Sequence, residues 1–176
     1  MKYLDIKILH VKGYCALDRA EAASRQWARE RPELPMLPVE TIGRLLDAAA
    51  RVTRDHMNPL LAEANLNVGE FDVLTPLRRS GEPYMLCPTQ LYEAALISSG
   101  GMTNRLDRLE RAGLVERRPD PKDRRGRQIA LTAEGKRVID EMIGRMVAME
   151  TKMISVLTEA EQEQLNGLLK KLLTGL

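Results

Sequence analysis

The stretch SSGGMTNRLDRLERAGLVERRPDPKDRRGRQIALT, residues Ser98–Thr132, decides the fold of this chain. Its first part carries Met102, Leu106 and Leu109 at helical spacing, so these side chains are expected to pack on a core. Gly113 is expected to end this helix, because glycine readily adopts the left-handed conformation that such an end requires. The stretch therefore begins with an amphipathic helix that has a defined stop.

The second part of the stretch predicts a β-hairpin. Leu114 to Arg118 and Arg127 to Leu131 have strand character, and the loop between them is basic and contains proline and glycine. A helix of this kind lies in a DNA groove in many DNA-binding modules. The sequence therefore predicts a recognition helix followed by a β-wing, with duplex DNA as the leading candidate partner.

Charge is distributed unevenly along the chain. The formal net charge of the 176 residues is only +2, but residues 97–131 hold nine Arg or Lys and five Asp or Glu. A basic module on a mildly acidic remainder suits a surface that binds phosphates. A solvated charged surface would give the same count, so the charge supports DNA binding only in combination with the helix and the hairpin.

Composition predicts a mainly α-helical protein with a small β-wing. Leu, Ala, Met, Glu and Arg are frequent and only one Phe is present, which favours helices over sheets. A chain of 176 residues forms about one domain with a substantial core. No apolar run reaches the roughly 20 residues of a membrane span, and the first residues lack the long apolar segment of a signal peptide. We therefore expect a cytoplasmic protein that has no membrane partner.

Apolar spacing and helix-capping residues predict the other elements of the first half of the chain. Met1 to Val11 is consistent with a strand, a frayed end or a docking arm. Leu17 to Glu30 is expected to form a helix that starts near Asp18, and a proline-rich connector follows it. Val39 to Ala64 has the stripe of a long amphipathic helix. The capping box of Asn67 and Glu70 starts the next helix.

In the second half, Thr89 to Ala95 predicts a short helix before the recognition helix. Thr132 is expected to cap a helix that runs to about Val156 and carries a stripe of methionines. The capping box formed by Thr158 and Glu161 starts a last, leucine-rich helix. These terminal helices hold more apolar surface than a small module can cover, so we expect them to pack against a second copy of the chain. The alternative is that the methionines are ordinary core.

The predicted elements divide the chain into three functional regions. Residues 1–38 form an N-terminal extension with an extra helix. Residues 39–66 and 132–176 form a helical dimerisation region, and residues 67–131 form a winged helix-turn-helix lobe. A homodimer would present two recognition helices to a pseudo-palindromic DNA site.

The start of the recognition helix, Ser98 to Gly101, is expected to approach the DNA backbone or the edge of the groove. Ser98 and Ser99 are candidate backbone contacts, and Gly100 and Gly101 would allow close approach because they carry no side chain. Each of these glycines would also weaken the helix by roughly 1 kcal/mol relative to alanine. The alternative is a flexible loop before the helix.

Two further groups of side chains are candidate DNA contacts. In the major groove, Arg prefers guanine and Asn prefers adenine, and the candidates are Thr103, Asn104 and Arg108. In the wing, one or two guanidinium groups are expected to enter the minor groove, and the candidates are Lys122, Arg124, Arg125 and Arg127.

Several stretches together resemble the multiple antibiotic resistance regulator (MarR) family of winged helix-turn-helix repressors. They are GEFDVLTPLRRSGEPY, PTQLYEAALISSGGMTNRLDRLERAGLVERRPDPKDRRGRQIALTAEG and the helical C-terminus, so the match covers about Val39 to Leu173. The resemblance implies an all-helical dimerisation region, a wing in each subunit and operator DNA as the target. Regulators of this family usually repress, and small molecules commonly release them. One departure is Asn104, where Lys or Arg is common in the family.

A finer resemblance is to the urate-responsive branch of this family, which has an extra N-terminal helix with a Trp. The matching residues are Trp27 in RQWARERP, Asp72 in EFDVL, Arg105 in MTNRLDRL and Arg117 in VERRPD. In that branch they line a ligand pocket, so the resemblance implies that this chain senses urate or a related purine. Two guanidinium groups suit an anionic planar ligand, and Trp suits stacking. The alternatives are a Trp27 that anchors its helix, an Asp72–Arg105 ion pair, and an Arg117 that holds a phosphate.

Other function classes have less support. The sequence contains no P-loop, G-x-S-x-G or H-E-x-x-H motif, and His10 and His56 lie far apart. We therefore expect no enzyme, no metal site and no cofactor. A repressor switched by oxidation of Cys15 or Cys87 is the alternative to the ligand-released repressor, and a helical interaction protein that does not bind DNA is a further competitor.

Overall fold

The computed structural model describes residues 18–94, 101–120 and 126–176. The chain divides into two compact units, one that ends at Arg51 and one that begins at Val52. The segment Met1 to Val11, for which a strand, a frayed end or an arm was expected, lies outside the described residues.

The first unit is a pair of helices, α1 (Arg19–Glu30) and α2 (Met36–Arg51). Asp18 caps α1 as predicted, because its carboxylate accepts the backbone N–H of Glu21 at 2.9 Å. The same carboxylate accepts a 2.8 Å hydrogen bond from Nε of Arg44 on α2. The helices pack closely, since a Cβ on Gly43 would lie 3.1 Å from the Cβ of Ala20.

The segment predicted as one helix from Val39 to Ala64 is helical as far as Ala62, but it is not one regular α-helix. The helix α2 begins earlier, at Met36, and Val52–Met57 forms a π-helical segment that is followed by the short helix α3 (Asn58–Ala62). Pro38 lies in the first turn of α2, where its missing N–H group has no intrahelical partner to lose. Pro59 lies just after the π-helical segment, so it cannot donate a backbone hydrogen bond to the preceding turn.

The second unit continues with four longer helices and one short one. They are α4 (Val68–Arg79), α5 (Pro88–Ala94), α6 (Met102–Arg111), α7 (Ala133–Ile154) and α8 (Glu159–Thr174). Both predicted capping boxes are confirmed, at the starts of α4 and α8. The helix α5 starts one residue earlier than expected, and Ala95 lies outside the described residues.

A three-stranded antiparallel sheet lies beside these helices. Its strands are β1 (Met85–Leu86), β2 (Val115–Pro119) and β3 (Arg127–Leu131), in the order β1-β3-β2. In the hairpin, Val115 lies opposite Leu131 and Pro119 lies opposite Arg127. The predicted wing is thus confirmed, whereas β1 was missed because two residues carry no detectable alternation.

Glycines define both ends of α6. Gly113 follows the helix with a φ of +72°, as expected for a residue that ends a helix in the left-handed region. Gly101 precedes the helix with a φ of +84°. The expectation that Gly101 weakens the helix was therefore wrong, because this residue lies outside it in a conformation that favours glycine. Gly100 lies outside the described residues.

The start of α7 is fixed against the turn that follows α6. The Thr132 hydroxyl donates to the carbonyl of Gly113 at 2.7 Å and accepts the N–H of Gly135 at 2.9 Å. A Cβ on Gly135 would lie 1.9 Å from the carbonyl oxygen of Leu114, so only glycine permits this approach. This contact holds α6 in place relative to α7.

The core of the second unit lies between α4, α6, the sheet and α7. The helices contribute apolar stripes at helical spacing, and the sheet contributes one face. The largest side chains that are almost fully buried include Leu61, Leu74, Leu77, Leu91, Met102, Leu109, Ile129, Ile139 and Met142. Among the described residues, no helix is both long and apolar enough to span a membrane.

Candidate nucleic-acid interface

The helix α6 has one buried face and one exposed face. Met102, Leu106 and Leu109 are buried, as their spacing predicts. Thr103, Asn104, Arg108 and Arg111 are exposed. The candidate major-groove residues therefore share the solvent side of the helix. Ser98 and Ser99, the candidate backbone contacts, lie outside the described residues.

Arg108 forms an ion pair with Glu70 of α4. Its Nε lies 2.9 Å from Oε1 of Glu70, and the two side chains are 58% and 4% exposed, respectively. Glu70 was predicted only as a capping residue, and no local pattern relates it to a residue on another helix. The structure thus adds a contact that restrains a candidate DNA-reading side chain.

The wing presents part of its predicted basic surface. Arg127 is exposed on β3. Arg118 is exposed on β2, where its guanidinium pairs with Glu116 of the same strand. The tip residues predicted to contact DNA, namely Lys122, Arg124 and Arg125, lie outside the described residues.

Arg117 connects the wing to the recognition helix. Its guanidinium pairs with Asp107 and Glu110 of α6, and its backbone N–H donates to Glu110 at 3.3 Å. The hydrogen bond to Asp107, and then the negative charge of Glu110, raise the pKa of Arg117 above its usual value. We name these three residues the wing clamp, because they link β2 to the exposed helix α6.

Arg105 lies against the start of α4. A Cβ on Gly69 would be 2.6 Å from Nε of Arg105, so the absence of a side chain on Gly69 makes room for the guanidinium. Nη1 of Arg105 is buried and has no hydrogen-bond partner among the residues that the structure describes. A buried donor without a partner costs about 1–3 kcal/mol. Arg105 therefore has an unused N–H donor among the described residues.

Asp72 is buried one turn after Gly69 on the same helix. It lines a cavity of about 340 Å³ whose walls are mostly apolar and come from α4 and α7. Phe71 and Thr75 contribute from α4, and Ile143 and Met146 from α7. A volume of this size is at the lower end of the range for small-molecule sites.

The four predicted ligand residues each have a different local setting. Asp72 lines the cavity, Arg105 contacts the start of α4, and Arg117 belongs to the wing clamp. Trp27 lies in the first unit, where it is 54% exposed. Sequence reasoning missed the acidic partners Asp107 and Glu110, although their spacing on α6 places both on one side of the helix.

The last two helices leave apolar side chains uncovered in a single chain. Leu168 and Leu173 of α8 are 59% and 71% exposed, and Val147 of α7 is 53% exposed. Met142 and Met146, by contrast, are buried in the core. Part of the methionine stripe is therefore ordinary core, and within the last two helices the uncovered apolar surface belongs mainly to α8.

The thiol of Cys87 is free and half-buried just before α5. Cys15 lies outside the described residues. Within the described part of the chain, His, Cys, Asp and Glu side chains form no group of three that could hold a metal ion.

The sequence of this chain is similar to those of known transcriptional regulators. A model of the MarR family matches residues 64–126. The chain is 37% identical over 145 residues to the HTH-type transcriptional regulator PecS of Dickeya dadantii. The match covers 82% of this chain and 87% of that protein. The residues matched by the family model include α4, α6 and β2, and they end just before β3.

Solved structures of DNA complexes are also similar to this fold. A MarR family transcriptional regulator from Streptomyces coelicolor, in complex with DNA, has a TM-score of 0.68 at 26% identity and covers 79% of this chain and 88% of that chain. A mutant MarR from Escherichia coli complexed with operator DNA has a TM-score of 0.64 at 28% identity. The match covers 84% of this chain and 97% of that chain.

Proposed function

The chain belongs to the MarR family of DNA-binding transcriptional regulators, and we propose that it is a cytoplasmic repressor that a small anionic aromatic ligand releases from its operator. The ligand is urate or a related purine. The observation that carries this proposal is the wing clamp, because Arg117 resembles a ligand residue and also holds the recognition helix to the wing.

In this proposal α6 enters the major groove of the operator. Asn104 and Arg108 read base edges, preferring adenine and guanine, and Thr103 contributes a hydroxyl. Their common exposure on one side of α6 supports this role. Arg127 and the wing residues Lys122, Arg124 and Arg125 contact the minor groove or phosphates, while Ser98 and Ser99 contact the backbone.

The active form is a homodimer. The uncovered leucines of α8 support this part of the proposal, because exposed apolar faces of this kind are typical of protein interfaces. Residues 39–66 and 132–176 form the dimerisation region in this account. A twofold axis then places two recognition helices on half-sites one helical turn apart.

The ligand site is built from Trp27, Asp72, Arg105 and Arg117. The buried Nη1 of Arg105 supports an anionic ligand, since a carbonyl or enolate oxygen would accept its hydrogen bond. The cavity beside Asp72 supplies apolar walls for a flat ring. Trp27 is the stacking partner by resemblance.

Release follows from competition for Arg117. A ligand anion that draws this guanidinium away from Asp107 and Glu110 loosens the connection between β2 and α6. Loss of the connection changes the orientation of the recognition helix. A coupling of about 1–3 kcal/mol lowers operator affinity 5- to 150-fold, which is enough for a regulatory response.

The test is urate titration of the protein–operator complex, followed by fluorescence anisotropy. We expect urate to release wild-type protein and Arg105→Gln to need a much higher concentration. Arg117→Gln lacks the wing clamp, so we expect it to bind the operator weakly even without urate and to respond little to added urate. Arg118→Gln is the matched control, since this arginine lies next to Arg117 and pairs only within β2 according to the described contacts. Unchanged operator affinity at millimolar urate would remove urate as the ligand.

A further inference from the structure

Glu70 is a buried carboxylate whose two oxygens have different partners. Oε2 accepts the backbone N–H of Asn67 at 2.9 Å, which completes the capping box of α4. Oε1 lies 2.9 Å from Nε of Arg108 on α6. The residue is only 3% exposed, and a buried carboxylate is costly unless its oxygens have such partners.

The two partners of the ion pair between Glu70 and Arg108 differ in how firmly each side chain is held. Surface ion pairs stabilise little, because two flexible side chains must be ordered to form them. Here the carboxylate is already fixed by its cap bond and its burial, while the Arg108 side chain is 58% exposed. The pair therefore restrains the arginine more than it stabilises the fold.

The contact uses the Nε side of the guanidinium. The terminal Nη groups carry the other N–H donors, and these are the groups that bind O6 and N7 of guanine in a bidentate contact. An arginine held at Nε loses less conformational freedom when it binds a base edge than an unrestrained one does. Orientation of this kind favours one base over the others.

We propose that Glu70 is a specificity-determining positioning residue that aims Arg108 at a guanine in the operator. This inference rests on the proposed function, in which α6 enters the major groove. Glu70 itself does not touch DNA, and it acts only through Arg108.

A purely structural role for Glu70 makes a different prediction. Glutamine also completes a capping box, so Glu70→Gln preserves the bond to Asn67 while it removes the charge that holds Arg108. Asn67→Ala is the reciprocal control, because it removes the side-chain cap and leaves the carboxylate of Glu70 in place. Stability and base discrimination are thereby separated.

The experiment begins with a randomised duplex library from which the wild-type full chain selects its site. Anisotropy then gives the affinity of each variant for the selected duplex and for duplexes substituted at single base pairs. We expect Arg108→Ala and Glu70→Gln to lose about 5- to 150-fold discrimination at the same guanine. The double variant should match Arg108→Ala alone. Asn67→Ala should melt at a lower temperature and keep its discrimination.

A measurement on the wild type needs no folded variant. In the free protein, the Nε–H of Arg108 should exchange with solvent more slowly than the Nε–H of Arg127, an exposed arginine of the wing. Equal exchange rates overturn the inference.

The binding data distinguish failure of the inference from failure of the proposed function. If Glu70→Gln discriminates like the wild type while Arg108→Ala does not, Glu70 is only a cap. If Arg108→Ala also keeps full discrimination, the inference fails although DNA binding stands. If the wild type enriches no sequence, the proposed function and the inference fall together.

Discussion

Replacement of Gly69 by alanine is expected to disable the ligand response without harming the fold. The new Cβ would lie 2.6 Å from Nε and 2.9 Å from Cζ of Arg105. Ordinary contact begins near 3.4 Å, so the guanidinium must move by about 1 Å. It is the far end of a flexible side chain, so it can move while the backbone stays in place.

Two effects set the stability of Gly69→Ala. Alanine is up to about 1 kcal/mol better than glycine inside a helix, and less at this first-turn position. Displacement of Arg105 also relieves a buried donor that has no partner among the described residues. We therefore expect the free energy of unfolding to stay the same or to rise by up to about 1 kcal/mol.

Gly69→Ala should weaken ligand binding by more than it changes the free energy of unfolding. A hydrogen bond to a charged group contributes about 1.5–3 kcal/mol, so its loss should raise the urate concentration for half release about 10- to 150-fold. The assay is urate titration of the operator complex, with thermal melting in parallel. Gly144→Ala in α7 is the control, since no described atom lies within 4 Å of its added Cβ.

Two results would refute this reasoning. If Gly69→Ala releases the operator at the wild-type urate concentration, Arg105 does not bind the ligand. If its melting temperature falls by several degrees, the guanidinium is not free to move aside.

Three further predictions concern the fold. Gly135→Ala should lower the free energy of unfolding by at least about 1–3 kcal/mol in urea, because its Cβ would lie 1.9 Å from the backbone oxygen of Leu114; a neutral result contradicts this contact. Leu74→Ala should lose about 2–5 kcal/mol, since Leu74 is fully buried; a smaller loss means a looser core. The N–H of Glu21 holds the pKa of Asp18 below 3.8, so capping of α1 is present above that pH and fades as pH falls through the lowered pKa; the protection of α1 amides relative to the unfolded chain should fall there, and Asp18→Asn should abolish this pH dependence.

Elements that depend on local chemistry were predictable from the sequence. The starts of α4 and α8 were predicted from their capping boxes, Asn67 with Glu70 and Thr158 with Glu161. A capping box lies within four consecutive residues, so it can be recognised from local sequence. The buried stripe of α6 and the hairpin of the wing followed from periodicities of 3.6 and 2. The division of the predicted 39–64 helix did not, because a π-helical segment has no local signature in this sequence.

Contacts between elements were not predictable in the same way. The pairing of Glu70 with Arg108 joins two helices, and nothing in either local sequence selects the partner. Only one residue of the wing clamp was identified from the sequence: Arg117 was a candidate site residue, whereas its partners Asp107 and Glu110 were not. Gly69 gave no signal at all, because its role is to leave space for Arg105. Such features arise from tertiary packing, which one sequence does not encode locally.

Methylation of guanine N7 by dimethyl sulfate tests the central claim most directly, because N7 faces the major groove. In a duplex selected by the wild-type protein, we predict protection of guanines in two half-sites one helical turn apart, and loss of part of this protection with Arg108→Ala. If the bound protein leaves every guanine N7 open to methylation, α6 does not read the major groove and the account is wrong.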